Sequence, residues 1–408
     1  MTDIKLWPRQ FLLGLIPFLV AFELLVWPMS VQQGLGGVAD FRQLYAGAYM
    51  LRTLPRAELY NYELQLDVQQ HLVPLRHHFG LVISHPAYEE LFLVPLSFLS
   101  YRHAYLSFFV INLFMLGLSI KLLMPLLGEL SRTWRLLPLF LFATYFPVTR
   151  AITQGQDSII LLAILTGVLV SLIGARDLRA GLLMGLGMFK FTIVLPIFVL
   201  FLCWKRWRFA AGFALSSSLA VLTSILTTGL QGFTQYFGLL REMIWVQPGT
   251  WKYTEGASIM LNLRGVVAML LDKHLAHGIV LLIVSLGSVV VLMLARQSAP
   301  SFSLAISSAC LVSYQFIAHD ASVLLIPILI ALCTKSRWLA AAAVAMFVMP
   351  NTSIHPAYGY LAGIPLITLF IAYCAVGTPP IEFPAWSRIG IPTSRISKQA
   401  HRIVISFQ

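Results

Sequence analysis

Apolar segments of roughly 20 residues recur along most of this chain, with short polar connectors between them. A helix of that length spans the ~30 Å hydrocarbon core of a bilayer, where the backbone has to satisfy its own hydrogen bonds. Only 11% of the 408 residues are charged, whereas soluble proteins average about 25%. The segments show no strand-type alternation. The sequence therefore predicts an all-α, polytopic membrane protein with about 11–13 membrane helices.

A single membrane domain is predicted for residues 1–376, followed by a basic tail at 377–408. Two polar intervals interrupt the domain, a first loop at about 30–85 and a second at about 230–275. The apolar runs predict spans at about 11–29, 103–127, 136–149, 158–174, 209–229, 277–295, 302–317, 321–333 and 339–376, the last divided at PNTSIHP. Residues 85–100 are apolar but short, and they predict a half-span.

The net charge of +12 is concentrated in short connectors, such as WKRWR at 204–208 and TKSR at 334–337, and in the tail. This is the positive-inside distribution of a membrane protein, so nucleic acid is not an expected partner. The first loop carries four arginines and four acids. We therefore expect this loop outside the cytoplasm and both termini inside, in a bacterial plasma membrane.

Two topologies fit the middle of the chain. Strict alternation of spans leaves GELSRTWR and GARDLR outside and GQD inside. If residues 86–127 instead cross only once in effect and residues 179–204 form a hairpin that breaks at Lys190, every Arg-rich connector becomes cytoplasmic, and GQD and Lys190 move to the outer side. The distribution of basic residues favours the hairpin.

Asp40 opens an amphipathic segment soon after the first span. Phe41, Leu44 and Ala48 repeat at helical spacing, so a helix at the membrane surface is predicted. A carboxylate at that boundary is well placed to act as a base. Asp is also a favoured helix N-cap, and this simpler role stays open.

Lys190 lies near the centre of the apolar run AGLLMGLGMFKFTIVLP and has no acid close to it in the sequence. An unpaired cation in the membrane is costly, so a lipid phosphate is a reasonable partner. The alternative is a lysine at the tip of a hairpin that faces water. Arg264, in LNLRG, is a second candidate for binding phosphate, or else a membrane-surface arginine.

Gln156 and Asp157 open a span within QGQDS, where they could line a sugar site or simply cap the next helix. His319 and Asp320 interrupt two apolar runs and could orient a substrate, bind a metal or relay protons. A polar turn is the alternative for this pair. The histidines of the first loop show no recognised zinc spacing, and no nucleotide-binding motif is present. No cofactor is expected, although a divalent ion near a phosphate stays open.

Several motifs resemble those of glycosyltransferase family 87, which comprises polytopic enzymes of the C-type superfamily that use polyprenyl-phosphate sugars, typically mannose. The resemblance lies in DFRQLYAGAYMLRTLPRAELYNYE, HPAYEELFLVPLSFLSYRHAYLSF, GQDSIILLAILTG, AGLLMGLGMFKFTIVLP with the following WKRWR, and LNLRG. Five motifs in order cover about residues 35–335. The chain departs from the family at His85-Pro86-Ala87, where the family usually has an aromatic-Pro-Pro triplet.

The resemblance implies a C-type glycosyltransferase fold with amphipathic helices in the first extracytoplasmic loop. By this analogy Asp40 deprotonates an acceptor hydroxyl, which attacks C1 of the sugar with inversion, and polyprenyl phosphate leaves. Lys190, Arg42 and Arg264 would stabilise the phosphate charge. The expected partners are a polyprenyl-phosphate sugar donor, a lipid or glycan acceptor and membrane lipids. The alternative is a transporter or flippase of a lipid-linked or anionic substrate, a class that typically shows pseudo-symmetric halves.

Overall fold

The computed structural model describes residues 7–73, 81–245, 256–271 and 274–376. Within these ranges the regular structure is helical and no strand is present. The predicted basic tail at 377–408 lies outside the described residues, as does part of the second loop. The helices of the first half are α1 (Trp7–Leu35), α2 (Phe41–Thr53), α3 (Tyr62–Leu72), α4 (Ala87–Leu93), α5 (Tyr101–Leu123), α6 (Gly128–Thr133), α7 (Leu137–Ala143), α8 (Phe146–Thr153) and α9 (Ser158–Ile173).

The second half continues the all-helical pattern. Its helices are α10 (Asp177–Leu186), α11 (Phe191–Cys203), α12 (Trp207–Trp245), α13 (Leu263–Leu271), α14 (His277–Gln297), α15 (Phe302–Val312), α16 (Leu325–Leu332), α17 (Arg337–Val348) and α18 (Gly363–Val376). By length and composition, six described stretches could cross a membrane: Pro8–Leu35, Tyr101–Leu126, Asp177–Cys203, Trp207–Ile244, His277–Gln297 and Ala357–Val376. The prediction of an all-α polytopic membrane protein is confirmed.

Most predicted spans correspond to observed helices, and the main correction concerns 136–149. That stretch forms two short helices, α7 and α8, which meet at Thr144 and Tyr145. Pro147 lies in the first turn of α8. Proline is tolerated there because the first N–H groups of a helix have no partner within the helix, but it would break a helix that continued from α7. The predicted amphipathic helix after Asp40 is α2. The predicted half-span at 85–100 is the short α4 followed by a 3₁₀ turn.

Residues 177–203 form a hairpin with Lys190 at its tip. A straight helix of this length would extend about 40 Å. Yet Arg206, three residues beyond α11, lies 2.7 Å from the Asp177 carboxylate at the start of α10. Phe201 near the end of α11 stacks on Phe209 near the start of α12, at 4.2 Å between ring centroids. The chain therefore folds back through the 3₁₀ turn at Gly187–Lys190, and the hairpin alternative is confirmed.

Glycines allow the hairpin to pack closely against α12. An added Cβ at Gly181 would lie 2.0 Å from the Phe209 carbonyl oxygen, and one at Gly212 would lie 2.2 Å from that of Leu178. Gly185, one turn beyond Gly181, makes a similar close approach to α12. Small residues spaced by one turn let membrane helices approach to backbone contact. This packing fixes the hairpin, and with it the height of Lys190 in the bundle.

The basic connectors lie at one end of the bundle, away from the hairpin tip. Arg9 lies 3.8 Å from Glu129 in α6 and donates to the Leu332 carbonyl at the end of α16. The pair of Asp177 and Arg206 joins two more connectors. Helix α9 runs from the hairpin tip, where Leu161 lies near Gly187, toward this basic end, where Gly167 lies near Leu183 of α10. The arrangement matches the predicted topology with all Arg-rich connectors on one side; which side faces the cytoplasm stays a prediction.

The second half of α12 supports the first loop. Gly229, with φ 71°, kinks the helix, and residues beyond the kink pack on the loop. Tyr236 donates to the Ser84 carbonyl, and Tyr60 donates to the His85 carbonyl. Ser224 accepts a hydrogen bond from the Tyr88 backbone N–H. These bonds hold the start of α4 against α12, beside the hairpin tip.

Candidate active site

Asp40 is held by the turn that precedes α9. Its backbone N–H donates to Gln154 Oε1 at 3.2 Å, and the Phe41 N–H donates to the Gln154 carbonyl at 2.9 Å. Its carboxylate accepts from Gln156 Nε2 at 2.9 Å. Asp40 occupies the N-cap position of α2 but makes no side-chain capping bond. The carboxylate therefore faces the turn and leaves the helix end uncapped.

Lys190, whose side chain is 13% exposed, lies between two buried aspartates. Its Nζ lies 3.0 Å from Asp157 Oδ1 and 3.1 Å from Asp320 Oδ1, and it donates to Gln156 Oε1 at 3.4 Å. The amide of Gln156 thus links the ammonium group to Asp40. Asp157 also sits at an N-cap position without capping the helix. The sequence shows no acid near Lys190, because both partners come from other helices.

His319 links Asp40 to the other side of this network. Its Nδ1 lies 3.6 Å from Asp40 Oδ2, and its Nε2 lies 3.5 Å from Asp320 Oδ1. Ser158 donates to the same Asp320 oxygen at 3.0 Å. Burial lowers the pKa of His319 below its ordinary value, an effect that the neighbouring carboxylate of Asp320 only partly offsets. The imidazole is therefore neutral at neutral pH.

Sequence reasoning missed His85 and Glu89. His85 Nδ1 lies 2.8 Å from Glu89 Oε2 and 3.3 Å from Asp157 Oδ2. Burial disfavours the charged imidazole, but these two carboxylates outweigh burial and raise the pKa of His85 well above its ordinary value. The available signal was the spacing of four residues, which places a histidine and an acid on one helical face. These three residues could also hold a metal ion, since their ligand atoms lie within 4.8 Å of one another.

Asp40 is the most accessible acid of this network. Its side chain is 26% exposed, whereas those of Asp157 and Asp320 are 1% and 6% exposed. Arg42 is buried at 2% exposure and interacts electrostatically with Asp40. Arg264 stacks on the Tyr314 ring, with Cζ 3.9 Å from its centroid, and donates to the Tyr314 carbonyl. The structure thus joins Asp40, Gln156, Asp157, Lys190, His319 and Asp320 in one network, with Arg42 beside it and Arg264 against the segment that leads to His319.

A mostly apolar cavity of about 240 Å³ is lined in part by residues that flank Lys190 and follow His85 in the chain. The segment Pro86–Tyr88, which separates His85 from Glu89, forms one wall. Met188 and Phe191, on either side of Lys190, contribute to another. Helix α12 and Tyr60 complete the lining through Ala220, Val221, Ser224, Thr228, Phe233, Tyr236, Phe237 and Leu240. The cavity therefore brings apolar surface to the edge of the buried charged cluster.

The fold and the network together define a polytopic helical membrane protein with a charged side-chain cluster inside its bundle. The chain belongs to glycosyltransferase family 87, whose family model matches residues 86–327. That range includes Gln156, Asp157, Lys190, His319 and Asp320, whereas Asp40 precedes it. Neither a curated protein nor a solved structure matches the chain. The protein is thus a membrane glycosyltransferase.

Proposed function

We propose that this glycosyltransferase moves a sugar, with mannose the first candidate, from a polyprenyl-phosphate donor to an acceptor hydroxyl on the extracytoplasmic side of the membrane. The observation that carries the proposal is the placement of Asp40. It is the most accessible carboxylate of a charged network, and residues that flank Lys190 of that network line an apolar cavity. Such a site joins an acid–base group to a surface that suits a lipid chain.

Asp40 acts as the general base in this proposal. Its carboxylate takes the proton of the acceptor hydroxyl, the oxygen attacks C1 of the sugar, and the bond from C1 to the phosphate oxygen breaks. Polyprenyl phosphate leaves, and the anomeric configuration inverts. Gln156 orients one carboxylate oxygen by donating to it at 2.9 Å, so the other is available to the acceptor.

The geometry around Lys190 supports a different role from direct capture of phosphate. Its charge is shared by Asp157 and Asp320, at 3.0 and 3.1 Å. We assign Lys190 the role of a positioning residue that aligns both aspartates and the Gln156 amide. The phosphate of the donor would then lie at the rim of the cluster, where oriented groups compensate the charge that develops as the bond breaks.

The apolar cavity suits the first isoprene units of the donor. Its walls at Pro86–Tyr88 and at Met188 and Phe191 place a lipid chain beside the cluster. About 240 Å³ accommodates only a few isoprene units, so the rest of the chain would extend between helices into the bilayer. This arrangement presents C1 of the sugar toward Asp40 while the lipid stays in an apolar environment.

Transfer by the purified protein in detergent tests the proposal. Radiolabelled polyprenyl-phosphate mannose and a membrane lipid extract are supplied, with GDP-mannose in a parallel reaction. We expect labelled product and free polyprenyl phosphate from the lipid-linked donor only. Transfer from GDP-mannose alone would contradict the proposed donor class. Another polyprenyl-phosphate sugar that reacts in place of mannose would correct the sugar and leave the donor class intact.

A further inference from the structure

Three side chains of the types that bind metal ions converge where the first loop meets α9. They are His85, Glu89 and Asp157, and one ligand atom of each lies within 4.8 Å of the others. His85 Nδ1 lies 2.8 Å from Glu89 Oε2 and 3.3 Å from Asp157 Oδ2. Ligands bound at about 2.1 Å to one ion in tetrahedral or octahedral geometry lie roughly 3.0–3.4 Å apart. The 3.3 Å separation falls in this range, the 2.8 Å separation is slightly shorter, and all three ligand atoms lie within 4.8 Å of one another.

The charge of the cluster favours a cation at this point. Lys190 is already shared by Asp157 and Asp320, and Glu89 adds a third buried carboxyl group. Glu90 adds a fourth, which is fully buried and whose oxygens have no hydrogen-bond partner among the described residues. Buried carboxylates are normally paired or coordinated to metal. A single proton on His85 Nδ1 can make one linear hydrogen bond, whereas two carboxylates face that atom.

The surroundings also resemble those of a metal site. The Tyr60 hydroxyl donates to the His85 carbonyl at 3.0 Å and fixes the backbone of that residue. The second oxygen of Asp157 is bound by Lys190 at 3.0 Å, which fixes the carboxylate plane. Groups that orient metal ligands in this way are a regular feature of metal centres. Three protein ligands leave positions open for a phosphate oxygen or water.

We propose that His85, Glu89 and Asp157 bind one divalent first-row transition-metal ion, with Mn²⁺ and Zn²⁺ the candidates. A single imidazole nitrogen with two carboxylate oxygens suits these ions better than Mg²⁺ or Ca²⁺, which prefer oxygen ligands alone. Binding of the ion is independent of the proposed transfer reaction. Its use in that reaction rests on the proposed function: the ion would face the donor phosphate and stabilise its charge as the sugar departs.

Direct metal binding tests the proposal. Purified protein is stripped with EDTA, dialysed against Mn²⁺ or Zn²⁺ and measured by inductively coupled plasma mass spectrometry. We expect about one ion per chain in the wild type, and at least tenfold weaker binding in His85→Ala and Glu89→Gln. His103→Ala is the matched control, because His103 is exposed and bonded to Ser100. It should bind metal like the wild type.

A second measurement identifies the ligand and does not depend on comparing affinities. Pulsed electron paramagnetic resonance of bound Mn²⁺ should show coupling to an imidazole nitrogen, lost in His85→Ala. A wild type that retains no more metal than His85→Ala, or bound Mn²⁺ without nitrogen coupling, would overturn the proposal. The cluster would then be held by the proton of His85. Metal binding without any sugar transfer would leave this proposal standing and count against the proposed function.

Discussion

Asp40 and Asp157 occupy the positions where aspartates usually cap helices, yet neither carboxylate caps one. Asp40 accepts from Gln156, and Asp157 pairs with Lys190 and faces His85. A capping hydrogen bond contributes about 1 kcal/mol to stability. Because neither aspartate makes one, other contacts must hold the two carboxylates in place. At the scale of single residues, these contacts connect the proposed base to Lys190.

Replacement of Lys190 should destabilise the fold. In Lys190→Met the buried Asp157 and Asp320 lose their shared cation, and removing one partner of a buried pair costs about 3–5 kcal/mol. Thermal unfolding in detergent, followed by circular dichroism, measures the loss. The double variant Lys190→Met with Asp157→Asn should be less destabilised than Lys190→Met alone. Lys121→Met, at an exposed position of α5, is the control. Equal unfolding temperatures for the Lys190 and Lys121 variants would contradict the ion-pair network.

Gln156→Glu should slow catalysis more than it affects folding. Glu keeps an acceptor for Lys190 but replaces the donor to Asp40 with an oxygen that repels the carboxylate. We expect kcat for sugar transfer to fall by about 100-fold, the loss that a displacement of about 1 Å at a reacting group can cause. Gln33→Glu, an exposed position in α1, controls for added charge. Unchanged kcat in Gln156→Glu would show that Asp40 is oriented by other groups.

The position of Lys190 at the tip of a hairpin could be predicted from the sequence, but its partners could not. The sequence itself shows a lysine within an apolar run and basic residues grouped in the connectors. Asp157 and Asp320 reach Lys190 because the start of α9 and the 3₁₀ segment Asp320–Leu324 before α16 meet at the hairpin tip. His85 was missed for a similar reason. The histidines of the first loop do not have the spacing of a known metal-binding motif, and Asp157, which completes the cluster, comes from a distant part of the chain.

At the scale of elements, the turn between α8 and α9 connects the first loop to the membrane bundle. Gly155 adopts φ +60° in this turn, and an added Cβ would lie 2.6 Å from Phe41 Cβ. Phe41 itself stacks on Phe108 of α5. The glycine therefore sets how closely α2, with Asp40 at its start, approaches α9.

Gly155→Ala should disturb both stability and transfer. The left-handed backbone and the contact with Phe41 oppose a side chain here, at a cost of roughly 1–3 kcal/mol. Gly117→Ala is the matched control, because a Cβ at Gly117 meets nothing within 4 Å. That variant should be neutral or slightly more stable. Unfolding temperature and transfer rate are measured for both, and equal behaviour would contradict the close packing of α2 on this turn.

At the scale of the whole molecule, the site lies at the hairpin tip, away from the end of the bundle that carries the basic connectors. Length and hydropathy alone suggest a simple crossing at 177–203. The ion pair between Asp177 and Arg206 shows that this stretch folds back. The fold class was accessible from composition because membrane helices must be apolar over their full length. The hairpin could be predicted from the distribution of basic connectors, whereas the shorter helices depend on tertiary contacts that a local stretch of sequence does not show.

Cysteine labelling tests this arrangement in intact cells. In a background without native cysteines, single cysteines at Asn61 in the first loop and at Arg132 in α6 should differ in accessibility. An impermeant maleimide should label position 61 from the outside and position 132 only after the membrane is permeabilised. Both positions are solvent-exposed in the fold. Labelling of both from the same side would contradict the predicted topology.

The most direct test of the central claim compares sugar transfer by the wild type and Asp40→Asn with polyprenyl-phosphate mannose as donor. Asn keeps the size of Asp and can still bond to Gln156, but it cannot take the proton of the acceptor. Loss of general-base catalysis predicts a fall in kcat of about 10²–10⁴-fold, with an unchanged unfolding temperature. A folded Asp40→Asn protein that transfers sugar at the wild-type rate would show that the base lies elsewhere.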